Sequence, residues 1–437
     1  MAAIALTPPA GAHPAAPAVA SPRLRECHDC GQLQVTPPLE PGTRALCFRC
    51  DAVLRHTHRD PLNTPLALNL TALMLFFIAA STTLLSVSSG GQFHVADVFS
   101  GPIGLEQDGM WELSAVILFT TVAAPAAKLG CMLYVLIGLR LSRPPRHIRA
   151  VFAWVEHLRP WSMIEVYLLG VFVAYVKLGA LVHIETGVAL YALGALLLTM
   201  ITADALLDPQ FVWEEMERHG IPDVAVNHAD VAAMATTHAA AGCDNCGLVS
   251  RLDGTSPRCP RCGYRLHIRK PNSIAATWAF GIAAVLLYLP ANLYPVLTVV
   301  QLGAGQPSTI LGGVEELLSG GQWPLAALVF FASIMVPVLK LIGLTILLCS
   351  VHFRWVARLR DRTRLYRIVD AIGRWSMIDV FMISLLVALV HFGAVVTINP
   401  GIGAIAFCGV VILTMFAARG FDPRLMWDTA DAAQRNP

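Results

Sequence analysis

Charge is scarce in this 437-residue chain: Asp, Glu, Lys and Arg make up 14% of it, against roughly 25% in a soluble globular protein. The formal net charge is only +2, so no basic field exists to gather nucleic acid, and binding of that kind is excluded. Catalytic signatures are missing as well. The chain has no Gly-x-x-x-x-Gly-Lys-Ser/Thr phosphate loop, no Gly-x-Ser-x-Gly elbow and no His-Glu-x-x-His pair, which leaves an enzymatic reading without support. Lys and Arg vanish altogether from residues 60–127, 178–217, 271–339 and 375–418.

What is present instead is apolar length. Hydrophobic residues form 56% of the chain and the mean hydropathy is +0.61. A helix needs about 20 mostly apolar residues to cross the hydrocarbon core, and eight stretches qualify: 66–88, 113–139, 161–182, 187–207, 274–298, 324–350, 375–396 and 402–418. Each block free of Lys and Arg holds one outer loop with its flanking apolar helix. By contrast, Arg140, Arg143, Arg146, Arg149 and Arg159 follow the second stretch, and Arg354, Arg358, Arg360, Arg362, Arg364, Arg367 and Arg374 follow the sixth. The positive-inside rule assigns those loops, both termini and the 208–273 linker to the cytoplasm. Residues 1–22, rich in Ala and Pro with no Lys or Arg, have no signal-peptide core and read as a disordered cytoplasmic tail. Insertion then relies on the first span as an uncleaved anchor.

Sliding the second half over the first at an offset near 212–215 reveals a duplication. Gly109 and Trp111 fall on Gly321 and Trp323, Pro125 and Lys128 on Pro337 and Lys340, and Trp-Ser-Met-Ile-Glu-Val at 161–166 on Trp-Ser-Met-Ile-Asp-Val at 375–380. Asp208-Pro209 matches Asp422-Pro423. Four spans per copy is an even number, so both copies share one orientation and the repeat is parallel, about an axis along the membrane normal. The copies differ in their first spans, where Pro290-Ala291-Asn292-x-x-Pro295 stands against Ala79-Ala80-Ser81-x-x-Leu84. The second copy is the more specialised.

Eight of the eleven cysteines form Cys-x-x-Cys pairs. Cys27 and Cys30 are followed after sixteen residues by Cys47 and Cys50, and Cys243 and Cys246 after twelve by Cys259 and Cys262. Two such pairs bring four thiolates to one tetrahedral ion, the arrangement of a structural zinc ribbon. Gly31, Gly247 and Gly263 suit the tight turn after a cysteine, while Asp51 breaks that pattern. Disulfides are the competing reading, disfavoured by a reducing cytoplasm, and iron is another occupant of four sulfurs. A closed four-sulfur site offers no open position for catalysis, so two structural Zn2+ ions that staple small modules are expected. The expected fold is an all-α polytopic membrane protein of eight transmembrane helices in two tandem parallel four-helix repeats, each preceded by a small cytoplasmic zinc-ribbon module. The divisions are a tail at 1–22, ribbons at 23–60 and 243–270, membrane repeats at 61–209 and 271–423, a linker at 210–242 and a C-terminal tail at 424–437.

An ionisable group in the hydrocarbon core costs at least ~2.5–3.5 kcal/mol and so needs a partner, a cavity or a purpose. Lys128 and Lys340 follow Pro125 and Pro337 by three residues, and each proline frees a backbone carbonyl. Glu165 and Asp379 open the third and seventh spans, with Ser162 and Ser376 three residues earlier on the same face. Lys340 and Asp379 are placed to pair at similar depth, with Ser376 and Asn292 completing a polar heart in copy two. The plainer alternative has each acid capping its own helix and each lysine snorkelling to the headgroups. Lys177 and His391 fall near outer span ends, where snorkelling accounts for them.

Two four-cysteine modules each preceding four spans, the Pro-x-x-Lys-Leu step and the Trp-Ser-Met-Ile-Asp/Glu-Val opening together resemble the paraquat-inducible protein A family, over about residues 23–428. The resemblance implies the inner membrane of a Gram-negative bacterium and a periplasmic MCE-domain partner whose stacked rings form a hydrophobic tunnel. It implies that the chain loads phospholipid or another lipid into that tunnel, or receives it. It carries the zinc ligands onto the eight paired cysteines, and the family's polar membrane residues onto Lys128, Lys340, Ser162, Ser376, Glu165 and Asp379. Two other functions compete: a passive membrane dock for the periplasmic partner, and a zinc-thiolate stress sensor.

Overall fold

The computed structural model describes residues 23–89, 92–179, 183–221, 240–252, 258–301, 304–373, 375–389 and 396–435. The expected N-terminal tail and His391 lie outside the described residues, as does the side chain of Lys177. Among the described residues seven helical stretches are long and apolar enough to cross a membrane: Asn63–Ser81, Trp111–Gly138, Val188–Leu206, Ser273–Leu293, Trp323–His352, Leu359–Leu389 and Ile402–Ala432. The apolar window in each follows from lipid as solvent, where a helix satisfies its own backbone; in Leu359–Leu389 the arginine-rich first part is a separate helix, Leu359–Ile372, and the apolar part is Ile378–Leu389. The stretch expected at 161–182 is the helix Ile164–Gly179, at 16 residues shorter than a full crossing.

The expectation of an all-α chain needs correction. Each half carries a three-stranded antiparallel sheet on the side away from the cysteine modules: Leu85–Ser89 between Gln92–Ala96 and His183–Thr186, and Leu297–Gln301 between Ala304–Ser308 and Val396–Pro400. The cysteine modules are themselves built on two-stranded hairpins. The arginine-rich stretches are not simple loops either. Ile148–Leu158 and Leu359–Ile372 are amphipathic helices, and Asp208 and Asp422 each cap a further helix, Pro209–Arg218 and Arg424–Arg435. An aspartate accepting from the first turn, with proline at the first helical position, is a strong start signal. The latter helix occupies most of the expected C-terminal tail.

Within the membrane part the helices Asn63–Ser81 and Val188–Leu206 pack against each other, and so do Ser273–Leu293 and Ile402–Gly420. The helices Ile164–Gly179 and Ile378–Leu389 meet between the two halves, where Gly170 lies against Phe381 and Tyr167 stands edge-on to Phe381 at 5.7 Å. A single apolar core thus runs through both copies. The helical stretches Trp111–Gly138 and Trp323–His352 each contain one wide π-helical turn, Phe119–Ala123 and Phe331–Met335, just before Pro125 and Pro337. The extra residue absorbs the hydrogen bond that proline cannot make.

Gly187 and Gly401 stand at equivalent positions, just before the helices Val188–Leu206 and Ile402–Gly420. A Cβ built on either would overlap a backbone carbonyl, of Thr83 or Pro295. Backbone cannot swing aside as a side chain can, so Gly401→Ala is expected to destabilise by about 3 kcal/mol or more. Gly194, mid-helix with open space around it, is the contrast: Gly194→Ala is expected to be neutral or stabilising by up to ~1 kcal/mol. Thermal unfolding of the two variants in one detergent checks this, and equal melting temperatures would refute the close approach.

Candidate functional site

All eight paired cysteines are buried, and within each module the four Sγ atoms lie within 4.8 Å of one another. Sγ separations are 3.5 Å for Cys27 and Cys50, 3.6 Å for Cys30 and Cys47, 3.4 Å for Cys243 and Cys262, and 3.5 Å for Cys246 and Cys259. A tetrahedral ion with Zn–S near 2.3 Å requires about 3.8 Å between sulfurs, so the donor set fits such an ion. In each of the four turns the amide four residues after the first cysteine donates to that cysteine's carbonyl, at 2.8–2.9 Å, from Gly31, Asp51, Gly247 and Gly263. Asp51 takes the left-handed conformation, φ +58°, beside +70°, +70° and +76° for the glycines. Aspartate tolerates that region, so the break in residue type is not a break in geometry.

The modules dock in a crossed manner. The apolar side of the second module rests on the first repeat, against Leu136, Ile148, Phe152 and Trp213. That of the first module rests on the second repeat, against Trp427 and Leu359. Arg367 of the second repeat donates to Asp29 at 2.6 Å, to the Cys50 carbonyl at 3.0 Å and to Cys50 Sγ at 3.7 Å. A guanidinium there offsets the negative charge of a four-thiolate centre. Polar links run the other way: Arg55 bonds Asp208 at 3.1 Å and Glu214 at 2.8 Å, and Arg269 bonds Asp428 at 2.7 Å. Burial raises the Glu214 pKa, but the hydrogen bond and charge of Arg55 outweigh it and hold the group below the usual carboxylate range.

The intramembrane residues expected to act together are divided. Lys128 and Lys340 are both buried, 4% and 2% exposed. Lys128 Nζ donates to Asp204 at 2.7 Å, a carboxylate of the fourth span that sequence reasoning missed although it stands in the apolar run 187–207. Lys340 Nζ donates instead to the Thr414 hydroxyl at 3.2 Å. Gly373 makes room for that ammonium, since a Cβ there would come within 2.8 Å of it. Asp379 is buried and lines a different cavity, about 40 Å³, on the sheet side with Ser308, Thr309 and Ser333. That volume admits roughly three ordered waters.

Ser162 and Ser376 are buried with hydroxyls that have no hydrogen-bond partner among the described residues. Glu165 is half-buried in the first turn of its helix. Pro337 is buried just after the π-turn. Asn292 donates to the Tyr288 carbonyl at 2.9 Å, a bond back onto its own helix, which contains Pro290. On the ribbon side Lys340 opens into a cavity of about 830 Å³, bounded by both repeats and the second module.

Comparison with known proteins agrees with this architecture. A family model described as paraquat-inducible protein A matches the chain twice, over residues 62–217 and 274–431. The intermembrane transport protein PqiA of Escherichia coli is 33% identical over 409 residues, covering 92% of this chain and 95% of the relative. Lipophilic envelope-spanning tunnel protein A of Escherichia coli is 32% identical over 408 residues, 93% of this chain and 92% of the relative. A probable intermembrane transport protein of Haemophilus influenzae is 28% identical over 419 residues, 94% and 96% of the two chains. No solved structure matches. With apolar helices in two related sets and a family model that covers each half, the chain belongs to the paraquat-inducible protein A family.

Proposed function

We propose that this protein is an inner-membrane lipid-transport subunit that loads lipid into, or receives it from, a tunnel formed by a periplasmic MCE-domain partner, and so maintains the envelope. In this reading the chain makes eight crossings in two parallel four-span repeats, with both termini cytoplasmic and a Zn2+ ion in each ribbon. Family membership and the names of the relatives, intermembrane transport and envelope-spanning tunnel proteins, support it.

The observation that carries the mechanism is the divergence of the two lysines. Lys128 is neutralised by Asp204, as a structural charge would be. Lys340 has a hydroxyl partner and a large cavity beneath it, while Asp379, one helix away in sequence, faces the cavity on the opposite side. Buried charge with access from one side each is what an alternating site requires. With no nucleotide motif in the chain, the proton gradient or downhill lipid flow supplies the energy.

Lys340→Met keeps the stem and removes the charge. It is expected to reduce detergent resistance of envelope-sensitised cells to the level of a strain lacking the protein, at unchanged protein abundance. Gly373→Ala, which keeps the charge but displaces the ammonium, is expected to give an intermediate loss. Full resistance in Lys340→Met would sink the transport site and leave a passive dock.

A further inference from the structure

The stretch Trp323–His352 has 30 residues, about 45 Å of helix, which matches a bilayer with its headgroups. Its ribbon-side end therefore stands at headgroup level. Residues 352–358 follow without a break and are all exposed, Phe353 at 64% and Trp355 at 48%. They do not form a loose loop. The Trp355 amide donates to the Ser350 carbonyl at 3.0 Å, and Arg362 of the helix Leu359–Ile372 donates through Nη2 to the Trp355 and Ala357 carbonyls at 2.7 and 2.8 Å. Arg354 and Arg358 take the left-handed region, φ +51° and +54°, which is unfavourable for a residue with a Cβ. Strained backbone that fixes aromatic side chains outside the core points to a use outside it. At the offset of the duplication the first repeat has Leu-Arg-Leu-Ser-Arg-Pro at 139–144, without an aromatic.

The first ribbon brings a second apolar tip to the same place. Leu46 and Val53 pair across its hairpin and are exposed, and Phe48 in the turn between them is 66% exposed. The Arg49 carbonyl accepts from Arg360 Nε at 3.0 Å, so this tip stands beside the first turn of Leu359–Ile372. Arginines here outnumber their partners. Arg49 is paired with Asp431, Arg360 lies 3.8 Å from Asp51, and Arg364 lies 4.0 Å from Asp361. Arg354, Arg358 and Arg362 have no carboxylate within 4.0 Å among the described residues. Asp370 is about 12 Å along the helix from Arg362, beyond a Debye length at physiological salt. Arg362 is buried, and its Nε and Nη1 have no acceptor among the described residues. Water screens such a charge poorly.

We propose that residues 353–358 and the tip of the first ribbon form a docking surface for the anionic headgroups of the ribbon-side leaflet, into which Phe353, Trp355 and Phe48 dip. Aromatic side chains beside arginines at a span end suit the headgroup level. An anionic leaflet supplies the counter-charge that the three arginines lack. Direct continuity with the end of a span selects lipid over a protein partner. The proposal needs the crossing by Trp323–His352 and not the transport reading. The first ribbon is then held from two sides, by the second repeat beneath it and by the leaflet.

The test places the photocrosslinker benzoylphenylalanine in place of Trp355 or Phe48 in the full-length chain, in nanodiscs of equal parts phosphatidylglycerol and phosphatidylcholine. Mass spectrometry identifies the captured lipid. Capture is expected at both positions, with phosphatidylglycerol favoured about tenfold at the Trp355 position. Arg354→Asn combined with Arg358→Asn is expected to bring that ratio to about one. Tenfold is equivalent to ~1.4 kcal/mol, within what two arginines supply at an anionic surface. Asparagine adopts the left-handed region readily and caps helices, so the melting temperature is expected not to fall. Equal capture of the two lipids with both arginines present overturns the anionic preference. Absence of lipid on the crosslinker at the Phe48 position overturns the seating of the ribbon. In native membranes, capture of a protein in place of lipid at either position overturns the leaflet as the occupant.

Discussion

Replacing Arg424 by methionine is expected to cost about 3–5 kcal/mol, the usual consequence of leaving buried charges without their partner. The guanidinium is 3% exposed and stands 2.9 Å from Asp422, 3.2 Å from Asp244 and 3.3 Å from Glu26. Those carboxylates belong to the segment just after the helix Ile402–Gly420, the second ribbon and the first ribbon. One side chain therefore ties three separate parts together, and its loss leaves three acids facing each other. The pH dependence should change sign. Burial raises the Asp422 pKa, but the hydrogen bond and charge of Arg424 outweigh it and hold the group below the ordinary carboxylate value. Asp422 therefore contributes stability above that value, and the contribution disappears as pH falls through the depressed one. In Arg424→Met burial and the neighbouring Asp244 and Glu26 work against only the backbone hydrogen bonds that Asp422 keeps, so its pKa rises and stability should be gained as pH falls from about 8 to 5. Melting curves across that range decide it; parallel profiles for both proteins would count against the buried hub.

Loss of one thiolate is expected to be larger still. Structural zinc in small modules is worth an apparent ~10–16 kcal/mol, so Cys259→Ser should reduce bound metal from two ions per chain to one and unfold the second ribbon. Crossed docking makes the location of the damage diagnostic. Cys259→Ser should expose the first-repeat helices Ile148–Leu158 and Pro209–Arg218 to protease, because Phe152 and Trp213 lie beneath that ribbon. Cys47→Ser should instead expose Leu359–Ile372 and Arg424–Arg435, where Leu359 and Trp427 lie beneath the other. Cleavage confined to the repeat that follows each ribbon in sequence would contradict the docking.

Much of the architecture was legible because it is local. An apolar run declares a span without reference to anything else, and a Cys-x-x-Cys turn declares its own geometry. The left-handed Asp51 shows how far such a turn dictates conformation even when glycine is replaced. The strands at 85–89 and 297–301 begin inside the apolar stretches 66–88 and 274–298 assigned to spans, because a short apolar segment reads alike as strand or helix. The helices within the arginine-rich stretches do carry an apolar face, but their charge drew attention instead. Asp204 was findable as a lone carboxylate in an apolar run. Thr414 was not, since a threonine in a span commonly bonds its own helix, as Thr414 also does to the Val411 carbonyl.

The amino-acid order by itself determined that the chain is a duplicated membrane protein with two four-thiolate clusters, since hydropathy, motif spacing and internal repetition all act over tens of residues. Tertiary structure alone decided that each ribbon leans its apolar side on the other copy's repeat, and that one of two equivalent lysines meets a carboxylate while the other meets a hydroxyl and an open cavity. Those outcomes depend on contacts such as Arg367 with Asp29, or Arg424 with Glu26, between residues hundreds of positions apart. Close packing of whole helices sets such distances, and no local periodicity encodes them.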